Sequence, residues 1–411
     1  MPVLRNIGQL ATCRPAGGQG DIHVIRDAAL IWNGPIIQWV GPEAELPSQY
    51  HHLTAFDAGQ RLVIPGLIDC HTHLAFGGWR AEEFEQRIQG SSYLEIAQAG
   101  GGILSTVART RALSSEQLLQ RCREFLGDII RLGITTIECK SGYGLDRDTE
   151  LRLLRVYRDL QDDASVDIVA TFLGAHVVPA EFRDRREAYV ALLTDTVIPA
   201  IANEGLADFC DCFVEQSAFS VEEGRRILSA AQKAGMGLKL HADQLTSGGG
   251  AELAAELGAV SADHLECISA EGIRRMAGAG VVAVSLPLAT LYLAHPPMPA
   301  RALINAGVPV AIATDFNPGS APSYHLPLAM MLGCTVQRMT PAEVLKGVTL
   351  YAARAIGREP VTGSLEPGKR ADFAVIDAPD VTHWLYHFRS NACRLTVSRG
   401  VVRWSAESSA T

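Results

Sequence analysis

Between Val63 and Asp315, short apolar, β-branched runs alternate with amphipathic helical stretches, and this alternation constrains the fold more than any other feature of the chain. The runs are Val63 to His73, Ile134 to Cys139, Ile168 to Leu173, Phe209 to Val214, Gly237 to His241, Val260 to His264, Val281 to Ser285 and Val310 to Asp315. The spacing predicts helices near 115–132, 148–160, 186–204, after Ser220, and near 249–257, 270–278 and 299–306. Two of these open with capping boxes, Ser114-x-x-Gln117 and Ser220-x-x-Glu223, and Gly133 is placed to end the first. Eight strand–helix units over about 250 residues is the expected size of a closed parallel barrel. An open doubly wound sheet is the alternative, but the first run is not followed by the G-x-G-x-x-G turn of that fold.

The two ends of the chain have a different texture. Ile22 to Ile25, Ala29 to Trp32 and Ile36 to Val40 are short strands between polar and Gly-Pro turns, and Ala371 to Asp377, Cys393 to Val397 and Val401 to Trp404 repeat the pattern. Strands at both termini are expected to share one sheet. The domain plan is therefore 1–61 and 359–411 around a barrel at 62–358. With 411 residues, 47% of them hydrophobic, the chain can bury a large core.

Net charge is −9 with no Lys or Arg run, which argues against a nucleic-acid or anionic-membrane surface and leaves small metabolites as partners. The first residues have no signal-type apolar segment, and no stretch reaches the ~18 uninterrupted apolar residues of a membrane span. Nine cysteines are scattered without a C-x-x-C pair, so neither a zinc ribbon nor a disulfide framework is indicated. A reducing, cytoplasmic setting is the expectation.

Chemistry-bearing residues gather at the C-terminal ends of the runs, where barrel enzymes place their catalytic groups. They are His71 and His73, Lys140, His176, Glu215, His241, His264 and Asp315. His71 and His73 stand two residues apart on a strand, so they point the same way and can reach one ion. Each residue alone has a bland reading as a satisfied core or rim group; the joint pattern does not. Three imidazoles and a carboxylate suit zinc or iron, with a position left for water, and His71, His73, His241 and Asp315 are the assigned ligands. A divalent metal lowers the pKa of bound water from about 15.7 toward about 7, so hydrolysis follows more naturally than redox chemistry.

His71-Thr72-His73 at a strand end, His241, His264 and Ala313-Thr314-Asp315 resemble the amidohydrolase superfamily, and Gly363 to Asp372 is similar to the turn by which that superfamily enters its C-terminal strands. Five further blocks, in order, resemble the imidazolonepropionase family within it. These are His71-Thr72-His73-Leu74 with Arg80; Lys140-Ser141-Gly142-Tyr143-Gly144-Leu145; Phe172-Leu173-Gly174-Ala175-His176; His241-Ala242-Asp243-Gln244 with Ser261 to Glu266; and Thr314 to Ser320. The resemblance implies a (β/α)8 barrel with a small β-sandwich domain formed from both chain termini. It also implies one divalent or trivalent metal ion per chain, zinc or iron, a homodimer, and 4-imidazolone-5-propanoate as substrate, opened to N-formimidoyl-L-glutamate.

Carried over by residue, it implies metal ligation by His71, His73, His241 and Asp315, substrate contacts from Arg80, Tyr143, His176 and Gln244, and product-carboxylate contacts from Asn317, Gly319 and Ser320. Arg80 suits a carboxylate through two parallel N–H bonds. Asp315 is expected to move the proton of the attacking water, with His264 stabilising the oxyanion or shuttling a proton and Gln244 or His176 holding the ring. Glu215 is expected to bond the substrate or a ligand histidine. Lys140 carries a second reading, as a carboxylated lysine bridging two metals, but it follows the second strand and not the fourth, which ends in Glu215, so a single metal is the expectation. The rival functions are another cyclic amidase or heterocycle deaminase using the same centre, and a catalytically silent binding module, which would be expected to have lost ligands.

Overall fold

The computed structural model describes residues 1–90, 101–163 and 165–407. Eight parallel strands run in chain order around a barrel: β6 (Leu67–Thr72), β7 (Ile134–Lys140), β8 (Asp167–Ala175), β9 (Phe209–Val214), β10 (Gly237–Ala242), β11 (Ser261–His264), β12 (Val282–Ser285) and β13 (Val310–Ile312). The barrel closes through a bridge between Thr72 and Phe316 and through two backbone bonds, Asp315 N–H to His71 O at 3.0 Å and His73 N–H to Phe316 O at 2.8 Å. Asp69 locks this seam, its carboxylate accepting the Thr314 backbone N–H at 3.0 Å and the Thr314 hydroxyl at 2.6 Å. Closure thus brings the end of the last strand against the histidine-bearing end of the first.

The helices follow their sequence signals closely. Both capping boxes are formed, at Ser114 and Ser220, and Gly133 is left-handed at φ 86° after the 3-10 turn that ends the first of these helices. The stretch expected as one helix over 186–204 is continuous but includes a π turn at Leu193–Val197.

The second sheet takes strands from both ends of the chain. In chain order they are β1 (Val3–Ala11), β2 (Val24–Asn33), β3 (Ile36–Pro42), β4 (Ala55–Asp57), β5 (Leu62–Pro65), β14 (Phe373–Ile376), β15 (Cys393–Ser398) and β16 (Val401–Ser405). The pairing order is β16-β15-β14-β5-β1-β2-β3, with β4 also on β1. The run from Val63 to His73 is therefore not one strand. Leu62–Pro65 pairs with β1 and β14, and the barrel strand starts at Leu67. Gly66 is the joint, because a side chain there would overlap Thr135. Lys346, fully buried, donates to the backbone carbonyls of Ala16, Gly18 and Asp21 at 3.2, 2.8 and 2.9 Å, tying the loop after β1 to the barrel.

Candidate active site at the mouth of the barrel

His71, His73, His241, His264 and Asp315 converge, all nearly inaccessible to solvent. Asp315 Oδ1 lies 3.4 Å from Nε2 of both His71 and His73. Two sets could each hold an ion, His71 with His73 and Asp315, and His71 with His241 and His264; within each set the donor atoms lie within 4.8 Å of one another. The donor chemistry fits a metal. His71 Nδ1 is 2.6 Å from Asp263 Oδ2 in a buried hydrogen bond, and His241 Nδ1 is 3.0 Å from Asp211 Oδ2, an ion-pair distance without hydrogen-bond alignment. Both Nε2 atoms are buried and lack a hydrogen-bond partner. An imidazole whose Nδ1 faces a carboxylate presents its Nε2 lone pair to a cation. Burial holds the His241 ring neutral, its pKa lowered to about 3. Burial would raise the Asp315 carboxyl, but the bonds from His71 and His73 prevail and hold it well below the usual carboxylate range. His264 shows the opposite balance: burial opposes its charge, yet Glu266 outweighs it and raises the ring's pKa.

A cavity of 570 Å3 opens over this cluster, the size of a small-molecule site. Arg80, Tyr143, His176, Gln244 and Asn317 line it together with His73, His241, His264 and Asp315. The His176 ring stacks on His73 with centroids 5.3 Å apart, and the Tyr143 ring lies 5.6 Å from His176. Tyr143 is presented by a loop wound around a buried carboxylate: Glu150 accepts the N–H groups of Gly142, Gly144 and Leu145 at 2.8 to 3.2 Å. Gln244 is placed similarly. Asp243 accepts the N–H groups of Gly248, Gly249, Gly250 and Ala251, which fixes the turn after β10.

Arg80 is one of three arginines that line the cavity, with Arg87 and Arg183. Its Nε is buried without a hydrogen-bond partner, and its nearest counter-charge, Glu83, is 3.8 Å away. The guanidinium packs against Gly319, where any Cβ would overlap it. Gly319→Ala should therefore displace Arg80 and leave the metal-binding cluster intact. Steady-state kinetics are expected to show KM raised about tenfold or more with kcat little changed, a loss of about 1.4 kcal/mol in binding.

The amidohydrolase family model matches residues 62–403. Imidazolonepropionase from Geobacillus thermodenitrificans is 45% identical over 93% of this chain and 91% of its own, and that from Clostridium tetani is 42% identical over 97% of both. The chain belongs to the imidazolonepropionase family of amidohydrolases. Among solved structures, the zinc complex of atrazine chlorohydrolase from Arthrobacter aurescens superposes with TM-score 0.74 at 18% identity, over 99% of this chain and 96% of that one, which shows a shared fold.

Three expectations change with the structure. Lys140 does not reach the mouth: its ammonium is 2.8 Å from Glu138, 2.8 Å from Asp211 and 3.5 Å from Asp263, all fully buried. Burial opposes its charge, but these carboxylates prevail and raise its pKa. A carboxylated lysine forms from the neutral amine and would add a fourth anion here, so the bridging reading falls. Glu215 does not line the cavity. Its carboxylate accepts the N–H groups of Gln216, Leu245 and Thr246 and the Thr246 hydroxyl, so it shapes the loop beside Gln244 and is not free for a ligand. The Asn317 side chain is also engaged: its Oδ1 accepts the Gly319 and Ser320 N–H groups at 2.8 Å each, so the loop's backbone donors are turned inward.

The motifs single out no role for Asp211, Lys239, Glu138 or Glu150, and Asp263 appears in them only as a neighbour of His264. A signal for the deeper layer exists in the period of two: Asp69 precedes His71, Glu138 precedes Lys140 and Lys239 precedes His241 by two positions, on the same strand face.

Proposed function

We infer that this chain hydrolyses the ring of 4-imidazolone-5-propanoate to N-formimidoyl-L-glutamate, a step of histidine degradation. The observation that carries the reading is Arg80, a nearly buried guanidinium with an unpartnered Nε, facing the same cavity as the imidazole and carboxylate cluster. A substrate that combines a carboxylate tail with a hydrolysable ring satisfies both ends of that cavity, and full-length relatives 42–47% identical carry the same activity in their name. We place residues 66–358 as the catalytic unit and 1–65 with 359–411 as its terminal partner, the expected boundary at 61/62 moving past β5, which pairs in the terminal sheet.

His71, His73, His241 and Asp315 are the proposed holders of one zinc or iron ion. Beneath the imidazoles the carboxylates of Glu138, Asp211 and Asp263 pack against Lys140 and Lys239, and Asp315 adds a carboxylate to the ligand set itself. When bound, such an ion supplies the Lewis acidity that makes water a nucleophile at neutral pH.

The chain's own residues supply the rest. Arg80 takes the propanoate carboxylate through paired N–H bonds, and Tyr143, His176 and Gln244 hold the flat ring. Asp315 accepts the proton of the attacking water and returns it to the ring nitrogen as the C–N bond breaks. His264, with Glu266 behind it at 3.7 Å, donates a hydrogen bond to the carbonyl oxygen as charge develops there.

Incubation of the purified protein with 4-imidazolone-5-propanoate tests the reading. Loss of imidazolone absorbance with a product heavier by one water is the expected result. Release of ammonia in place of ring opening, or no turnover in the metal-loaded protein, would overturn it.

A further inference from the structure

Beneath the imidazoles lies a second ion cluster to which the reaction gives no part. Glu138 on β7, Asp211 on β9 and Asp263 on β11 come from three separate strands and meet around one point, with none of the three exposed to solvent. The Lys140 ammonium stands at that point. Lys239 approaches from the other side, 3.8 Å from Asp263, with its remaining donors on the Ala355 and Cys70 carbonyls at 3.1 and 3.5 Å. One carboxylate oxygen, Glu138 Oε2, is buried without a hydrogen-bond partner.

Three buried carboxylates sharing one centre repel one another and persist ionised only around a cation. Here the cation is part of the chain. We propose that Lys140 occupies with its own ammonium a cage that would otherwise take a hard divalent cation, and thereby holds the metal content of this protein at one ion per chain. The inference rests on the reading above that the imidazole cluster binds a metal.

The donor sets of the two positions differ in kind. The upper one is rich in imidazole and selects zinc or iron; the lower one offers only oxygen and suits magnesium, calcium or manganese. The ammonium sits 2.8 Å from its two nearest oxygens, a hydrogen-bond length, whereas oxygen ligands lie about 2.3–2.6 Å from calcium. Once the lysine stem is gone, a contraction of a few tenths of an ångström at Glu138 and Asp211, and of about one ångström at Asp263, which stands at 3.5 Å, suits the cage to an ion. Asp211 and Asp263 belong to both positions: in each, a single oxygen, Oδ2, meets both Lys140 and a proposed ligand histidine. An ion in the cage would thus be separated from the upper one by one carboxylate oxygen and one imidazole ring.

The test compares the full-length protein with Lys140→Ala, Lys140→Arg and the double variant Lys140→Ala/Glu138→Gln. Each is loaded with zinc and then with manganese and desalted, with zinc counted by mass spectrometry and manganese by mass spectrometry and electron paramagnetic resonance. The parent protein and Lys140→Arg are expected to hold one zinc and no manganese. Lys140→Ala should hold one zinc and one manganese per chain, and the double variant should lose the manganese. A folded Lys140→Ala protein that takes up no manganese overturns the proposal. If Lys140→Ala does not fold alone, recovery of its thermal transition in millimolar manganese supports the proposal, and no recovery with manganese, magnesium or calcium overturns it. A parent protein that retains no zinc overturns the imidazole-site reading, and the manganese count of Lys140→Ala still decides this one.

Discussion

Asp315→Asn is expected to lower kcat/KM by about 10⁴-fold, close to 5.5 kcal/mol of transition-state stabilisation, while leaving the fold intact. The substitution keeps the size of the side chain and the backbone bonds that close the barrel at His71 and Phe316. What it removes is the one carboxylate in the proposed ligand set, whose Oδ1 lies 3.4 Å from Nε2 of both His71 and His73. The ion then loses an anionic ligand, and the attacking water loses its proton acceptor. Zinc retention after dialysis against a chelator should fall with the rate, and a thermal transition near that of the parent protein separates this from unfolding. Chelated parent protein should be equally inactive and recover when zinc is returned. An Asp315→Asn protein with tenfold loss or less, or a chelated parent at full rate, would remove the metal from the reaction.

Arg80→Met should raise KM for imidazolonepropanoate about 10² to 10³-fold, roughly 3–4 kcal/mol, with a smaller change in kcat. The guanidinium is nearly buried, its Nε lacks a partner, and Glu83 at 3.8 Å gives it weak compensation, so a bound carboxylate gains a charge-assisted pair in a site with little competing water. An imidazolone without the propanoate tail makes the comparison specific. It should be a poor substrate for the parent protein and equally poor for Arg80→Met, because the interaction is missing from both. Arg80→Lys should recover only part of the loss, since an ammonium cannot reproduce the paired N–H geometry. If Arg80→Met slowed both substrates alike, Arg80 would serve the loop and not the carboxylate.

The Lys140 and Glu215 expectations failed for one reason. Both stand at or just past a strand end, where His241 and His264 also stand, and along the chain the positions look alike. The period of two gives the strand face of a side chain, but which layer of the barrel it reaches also depends on strand tilt and stagger around the closed sheet. Lys140 closes the deeper layer with Glu138 and Asp211, and Glu215 turns toward the loop at Leu245 and Thr246. The strand split at Gly66 escaped notice for a related reason. Val63 to His73 is apolar throughout, and only the close approach of Thr135 requires a glycine between the two sheets.

Sequence alone determined the eight strand–helix units, the shared sheet of the two termini, the helix caps and the orientation of His71 with His73, because each is a matter of local period or local hydrogen bonding. The three-dimensional structure decided which buried charge compensates which. Asp263 holds His71 across 192 residues, and Lys140 holds Asp211 across 71. The period of two can place such residues on an inward strand face but does not say which pairs with which, since what joins them is the energetic cost of leaving an ionised group unpartnered inside a closed barrel.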